Sequence, residues 1–457
     1  MAEIGSTGGT MKVIRLLIAL AVVGGAAAAD EAPLKLSLAD AVEKALQVDE
    51  GYLSAREDVT SAEAKITEAK SALYPSLTFD ASATRMIGLP TVVIPADSIA
   101  PGVPPEDVEF SALYEENLSA SLTAVQPLYQ GGRSWTAYRI SKSYYSLANE
   151  QLRQKYSDTV YNVARAYYDA VLADEAVGVA DTGVAVAQSH VQATEDRYDA
   201  GLVSEYDVLR ARVELVNLET AQRDAIDRRA ATRRYLLTLL NLPPDADVAL
   251  LDRLSLDLEV FDLEESLAAA EDKRPEIAQL EMTRRLAEDN VKIARAGDNP
   301  SVFFTASYED YAYDFSLDLE DDWRQQGMLN LSLSWPIFDG FETRGRVRQA
   351  RADLYKTELS KARLSEGIDA EVRGAYDALK TAEATVRAQR ENVTLAERGL
   401  EIAQARYEVG LMSNLEVLDA QAALTRARLG YYQSLYGYAL AKLNMRRSRG
   451  ELDELEF

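Results

Sequence analysis

The 457-residue chain has no cysteine and one histidine, His190. Without cysteine there is no disulfide framework, no thiolate zinc site and no cysteine nucleophile. One histidine rules out a multi-histidine metal cluster within a single chain. Basic residues are few, 49 against 74 acidic ones, giving a formal net charge of −25. A nucleic-acid binder needs clustered Lys and Arg to neutralise phosphate, so this balance argues against that class. No Gly-rich phosphate loop, nucleophile elbow or supported carboxylate pair is present, so neither an enzyme nor a cofactor or metal site is expected. The 47% hydrophobic content is nevertheless that of a folded protein.

Long apolar runs are missing as well. At the N-terminus Lys12 and Arg15 precede the run Leu16 to Val23, followed by small residues Ala26 to Ala29. A positive region, a short hydrophobic core and an Ala-x-Ala exit predict a secretory signal peptide over residues 1–29, with Met1 or Met11 as the start. The stretch is too short for the roughly 20 residues of a membrane helix, and no later stretch qualifies. An exported chain that crosses another membrane must then do so as strands.

Proline is absent between Pro127 and Pro243 and after Pro336, which permits very long helices. Val163, Ala166, Ala170, Ala173, Val177, Ala180, Val184, Ala187, Val191, Thr194 and Tyr198 alternate steps of three and four. The same stripe recurs 209 residues later, from Val372 to Tyr407. Such a seven-residue period specifies a left-handed coiled coil. The stripes break at Gly201 and Gly410, and second amphipathic helices return over Tyr206–Leu240 and Leu415–Asn444. Each half therefore predicts one long antiparallel helical hairpin with glycine at its tip.

The halves are copies of one plan. RYDAGLVSEYDVLRAR from Arg197 and RYEVGLMSNLEVLDAQ from Arg406 are identical at eight of sixteen positions. The same offset pairs QPLYQGGR from Gln126 with WPIFDGFE from Trp335. Upstream, at an offset of 225, LSLADAVEKAL from Leu36 resembles VFDLEESLAAA from Val260. Between the paired motifs, NLSASLTAVQP from Asn117 and GMLNLSLSWP from Gly327 alternate apolar and polar residues, the period of a strand with one apolar face. The segments after Pro75 and Pro300 alternate less cleanly, giving four strands in all. Tyr129, Trp135, Trp323, Trp335, Phe338 and Phe341 fall at strand ends, as an interfacial aromatic belt would. Four strands cannot close a barrel and an open edge cannot sit in lipid, so either the sheet is covered or several chains share one barrel. The segment holding Pro90, Pro95, Pro101, Pro104 and Pro105 reads as an irregular surface loop.

In combination, and doubled at a fixed offset, these motifs resemble the TolC family of outer-membrane efflux and secretion channels. The resemblance covers nearly the whole mature chain. It implies a mainly α fold with a membrane β-barrel portion, in which a homotrimer pools four strands per chain into a twelve-stranded barrel above a twelve-helix periplasmic tunnel. The domains would be a first structural repeat (30–241), an inter-repeat equatorial segment (242–262), a second repeat (263–444) and an equatorial tail (445–457). The expected partners are a periplasmic adaptor and an inner-membrane transporter, the lipid is that of the outer membrane, and nucleic acid is not a partner. Drug, metal or protein cargo all remain open. The rival in another class is a soluble periplasmic coiled-coil adaptor or scaffold.

The resemblance also carries roles to particular residues. Glu416 and Asp419, three apart on one helix face, match an acidic ring at the periplasmic entrance; as ordinary helix-start acids they would instead complement the helix dipole. Tyr407 matches a tyrosine that locks the closed tip, with Asp207 as its acidic partner. Relatives place a basic residue where this chain has Met412, so their salt bridge cannot form here. Gly201, Leu202, Ser204, Gly410, Leu411 and Ser413 are the expected contacts for adaptor hairpins. Tyr129, Trp135, Trp335 and Phe338 would sit at the membrane interface. His190, whose counterpart is Gly399, reads as a helix-surface or groove residue rather than a ligand.

Overall fold

The computed structural model describes residues 34–94, 108–111, 113–313, 315 and 323–454. The expected signal peptide lies outside the described residues, as do Pro95, Pro101, Pro104 and Pro105 of the first strand-to-strand segment.

The first half runs β1 (Leu34–Leu36), α1 (Leu38–Val48), α2 (Glu50–Ser71), β2 (Ser76–Arg85), β3 (Thr91–Ile94), β4 (Val108–Ser111), β5 (Glu116–Gln130), α3 (Arg133–Asp199) and α4 (Glu205–Leu239). The second runs β6 (Val248–Leu250), α5 (Leu263–Lys273), α6 (Pro275–Arg295), β7 (Ser301–Ala312), β8 (Arg324–Ser334), α7 (Glu342–Glu408) and α8 (Asn414–Arg449). Helices α3 and α7 are each 67 residues long, about 100 Å at 1.5 Å per residue.

The stripe on α3 is buried from Val163 to Thr194 except at half-buried Ala180, because α3 packs against α2, α4, α6 and α8. On α7 the buried positions are sparser: Val372, Leu379, Val386, Leu400, Ala403 and Tyr407. Tyr198 departs from the stripe. It is 44% exposed, whereas its counterpart Tyr407 is 6% exposed, because only Tyr407 is roofed by the other hairpin. Helix α8 also runs past the expected Asn444 to Arg449. It is held there by Arg446 on Glu259 and Arg447 on Asp158, and ends on Gly450.

Four strands form one antiparallel sheet in the order β2-β5-β7-β8, with β2 and β8 at its edges. The register puts Leu77 opposite Ala124, Phe79 opposite Leu122, Phe304 opposite Leu331 and Val302 opposite Leu333. Residues directly opposite share a face, so one face collects leucine, phenylalanine, valine and alanine. Ser82 and Ser119 hydroxyls, 2.9 Å apart, lie on the other. Asp310, paired with Gln325, interrupts the apolar face near the loop end. The segment expected to be an irregular loop is not wholly so: β3 and β4 pair antiparallel from Thr91–Ser111 to Ile94–Val108. Thr91-Val92-Val93-Ile94 is β-branched throughout, which favours extended backbone despite the neighbouring prolines.

A third, two-stranded element joins the halves. β1 pairs parallel with β6, and Tyr167 of α3, fully buried, donates its hydroxyl hydrogen at this junction. The hydroxyl oxygen lies 2.9 Å from the Leu36 carbonyl and 2.8 Å from the Asp252 carboxylate. Beyond β6 the chain lies along α8, where Tyr438 donates to the Asp257 carbonyl and Lys442 pairs with Asp257 and Glu259.

Candidate functional site

Both hairpin tips are built alike. Gly201 and Gly410 have φ of 73° and 76°, the left-handed region that costs a side-chain-bearing residue roughly 1–2 kcal/mol. Each closes the same helix-terminating pair of bonds: Leu202 N to Arg197 O and Gly201 N to Tyr198 O, then Leu411 N to Arg406 O and Gly410 N to Tyr407 O, all 2.8–3.0 Å. The next helix begins on a serine cap. Ser204 and Asp207 form a reciprocal capping box, as do Ser413 and Glu416. Leu202 and Leu411 stand out between cap and turn, 67% and 78% exposed. No protein group among the described residues covers them.

The capping boxes decide where two expected gate residues point. The Glu416 carboxylate accepts from Ser413 N and Oγ, both at 2.8 Å, and these bonds hold it below the usual glutamate range. It is therefore a helix-start acid, and one that is ionised and exposed. Asp419, one turn on, is also exposed. The Asp207 carboxylate is engaged by Ser204, at 2.6 Å from Oγ and 3.1 Å from N, and makes no bond with Tyr407.

Tyr407 is locked by other groups. The Arg197 guanidinium lies 4.7 Å from its ring centroid and donates from Nη1 to the carbonyls of Tyr407 and Glu408, at 2.8 and 3.1 Å. A cation on the last carbonyls of α7 complements the negative end of that helix. The Tyr407 hydroxyl meets Thr194 Oγ1 at 3.5 Å, and the His190 ring lies 5.4 Å away, centroid to centroid. Met412 adds to the apolar cluster of Ala403, Tyr407 and Val417.

His190 takes the groove position of the two expected, buried between the hairpins and not exposed on a helix surface. Its Nε2 lies 2.5 Å from Asn414 Oδ1, and Asn414 Nδ2 donates to the Asp207 carbonyl at 2.9 Å. Asn414 has no hydrogen to give from Oδ1, so the imidazole Nε2 is the donor. Burial lowers the His190 pKa, and the bond to Asn414 offsets part of that shift. One asparagine thus ties α8 to α3 and to the start of α4. Sequence reasoning missed Arg197, His190 and Asn414; the only signal was that His190 and Asn414 break the repeat, facing Gly399 and Glu205 in the alignment.

At the other end of the long helices, Tyr129, Trp135, Trp335 and Phe338 are all exposed at the base of the sheet. Trp335 donates its indole N–H to the Asp298 carbonyl, and Phe338 meets Phe341 edge to face. Trp323 lies at the opposite, loop end of β8. Among the described residues no helix is long and apolar enough to cross a membrane, and no group of His, Asp and Glu could hold a metal ion.

A family model described as "Outer membrane efflux protein" matches residues 41–242 and 267–451. The chain is similar to outer membrane protein TolC of Escherichia coli, at 23% identity over 403 residues, covering 85% of this chain and 77% of TolC. It is 22% identical to outer membrane efflux protein BepC of Brucella suis, covering 96% and 91%. Among solved structures, the outer-membrane channel OprN superposes with a TM-score of 0.75 at 21% identity, covering 91% of this chain and 90% of that one.

Proposed function

The chain belongs to the outer membrane efflux protein family, and on that premise we propose that three copies form the exit duct of a tripartite efflux pump or a type I secretion system. The observation that carries the trimer is the sheet. Its four strands have unpaired edges at β2 and β8 and an apolar face with exposed Leu77, Phe79, Leu329, Leu331 and Leu333. Unpaired backbone and exposed leucine are compatible with lipid only when neighbouring copies close the edges. Strands of 10–15 residues are long enough to span a bilayer when tilted. The protein resides in the outer membrane, and its long helices reach into the periplasm. A soluble adaptor would carry one hairpin; this chain has two.

In the trimer, Glu416 and Asp419 of three copies gather at the tunnel mouth. Six carboxylates in one constriction favour cations and repel anions. The tip is held shut within each chain by Arg197 and the His190–Asn414 bond, which take the place of the salt bridge that Met412 forbids. Leu202 and Leu411, beside the turn glycines, are apolar contacts for a periplasmic adaptor, two tips per chain. The chain itself performs no catalysis; it conducts.

Planar-bilayer recording of the purified full-length protein tests this reading. A trimer in detergent with small, cation-preferring conductance is the expected result. A stable monomer that never conducts would overturn it.

A further inference from the structure

The charge of this chain is unevenly placed. It is strongly acidic overall, yet the first turns of both long helices are basic. From residue 131 to 149 there are three basic residues, Arg133, Arg139 and Lys142, and no acidic one. From residue 340 to 352 there are four arginines, 344, 346, 348 and 351, against Glu342 alone. The dipole opposes cations in the first turn, Arg133 and Arg344, and gives nothing to those just beyond it, so local helix stability does not account for the pattern.

Most of these charges are unspent. Arg346 pairs with Glu342, and Arg139 pairs with the buried Asp289. Arg133, Lys142, Arg344, Arg348 and Arg351 form no ion pair among the described residues. The arginines at 344, 348 and 351 recur at steps of four and three, so they share one helix face. Shifted by 209 residues, that face is Trp135, Arg139 and Lys142 on α3. The two long helices thus present equivalent stripes directly below the sheet.

The aromatic neighbours show which way the stripes face. Trp335 continues the alternation of Leu329, Leu331 and Leu333, so it lies on the apolar face of the sheet. Arg344 sits 5.2 Å over the Phe341 ring, Phe341 meets Phe338, and Phe338 is 73% exposed. Trp135 is exposed with the Tyr138 ring at its edge, and Lys142 lies 4.7 Å over Tyr138. A wide exposed ledge of Trp and Phe is unfavourable in a water-filled lumen and favourable at the headgroup level of a bilayer. The eight residues from Arg344 to Arg351 span about 10 Å along the helix, enough to cross a headgroup layer of about 5–8 Å.

We infer that the starts of α3 and α7 form a basic collar that binds the anionic headgroups of phospholipids in the periplasmic leaflet, with Arg344, Arg348, Arg351 and Lys142 as the phosphate-facing groups. The aromatic ledge sets the depth of the barrel, and the collar seats it against negative charge, fixing how far the tunnel hangs below the membrane. This inference rests on the outer-membrane reading above.

The full-length trimer is reconstituted in nanodiscs of equimolar phosphatidylglycerol and phosphatidylcholine, and the lipids retained on the released protein are counted by native mass spectrometry. The wild type is expected to retain phosphatidylglycerol in excess. The variant Arg344→Gln/Arg348→Gln/Arg351→Gln is expected to lose that excess by about threefold or more, since each basic residue near a charged surface attracts anionic lipid independently. Arg426→Gln, far down α8, should leave it unchanged. If the triple variant does not assemble, Lys142→Gln on the equivalent stripe should show the same loss at smaller amplitude. No lipid preference in the wild type, or full preference in the variants, overturns the collar. So does a change in ion selectivity with lipid retention intact, because the arginines would then line the lumen. A wild type that fails to enter nanodiscs at all would instead count against the channel reading itself.

Discussion

Arg197 of the first hairpin lies over the ring of Tyr407 in the second and donates to that residue's own carbonyl. One side chain thereby stacks on a buried aromatic and caps the last turn of a 67-residue helix. The two hairpins of a chain cannot separate at the tip without breaking both contacts. The family resemblance implies a basic residue where this chain has Met412; in the structure Arg197 of the opposite helix supplies the basic contact to Tyr407.

Arg197→Ala should therefore loosen the closed tip. Removing a charged donor from a partly buried carbonyl pair costs about 1–3 kcal/mol, and single-channel conductance should rise severalfold. Arg197→Lys keeps the charge but not the planar fork, and should fall between. A conductance equal to wild type in both variants would count against the lock.

His190 and Asn414 form a buried neutral pair, and truncating either leaves the other unsatisfied. Asn414→Ala is expected to lower stability by about 1–3 kcal/mol, read as a lower thermal midpoint. Because burial lowers the His190 pKa, the folded state binds fewer protons than the unfolded state below the ordinary histidine pKa of about 6.5. The stability of the tip is thus complete above that value and declines as pH falls toward the lowered one. His190→Gln, which keeps a donor but does not titrate, should flatten that decline. A decline of the same size in His190→Gln would assign it to other groups.

Glu416 has two roles that different substitutions separate. Glu416→Gln can still complete the capping box but removes the charge. Combined with Asp419→Asn it should weaken cation preference in reversal-potential measurements while leaving stability near wild type. Ser413→Ala should do the opposite, costing about 1 kcal/mol with selectivity retained. The cap bonds lower the Glu416 pKa, so their stabilisation is present above the ordinary glutamate range and is lost as pH falls through the lowered value.

Bulky replacements at the turn glycines combine strain with a blocked surface. Gly201→Trp and Gly410→Trp should abolish transport in cells while the trimer still assembles, since the strain of positive φ is only about 1–2 kcal/mol per site. A side chain added at Gly410 would also approach Arg197 Nη2, which lies 4.0 Å from the ideal Cβ position. Gly201 has nothing within 4 Å. Gly410 variants should therefore disturb both docking and the lock, and Gly201 variants docking alone. Transport surviving both tryptophans would remove the tips from the docking surface.

At the junction of the halves, Tyr167→Phe would leave the Leu36 carbonyl and the Asp252 carboxylate without their shared hydroxyl. A loss of about 1–3 kcal/mol is expected, measurable as earlier chemical unfolding. Tyr376, its counterpart 209 residues on, is only partly buried and makes a cation–π contact with Lys380 instead. Tyr376→Phe should be nearly neutral.

The periodicity of the chain determined its elements. Eleven positions at steps of three and four locate the α3 stripe, and two glycines locate the tips, because a heptad and a positive φ are properties of the local chain. The alternation from Asn117 and from Gly327 likewise fixed β5 and β8, and their faces follow from the pleat. Only the tertiary structure decided which side chains meet across elements. Asp207 and Glu416 are drawn to their own serines by short-range capping geometry. Tyr407 is buried and Tyr198 is not, although both occupy the same repeat position, because α8 and Arg197 cover one of them alone. Partners separated by more than 200 residues, such as His190 and Asn414, are brought together by the packing of one hairpin on the other. No local pattern encodes that, since a coiled-coil stripe specifies that helices pack but not which polar group will stand opposite which.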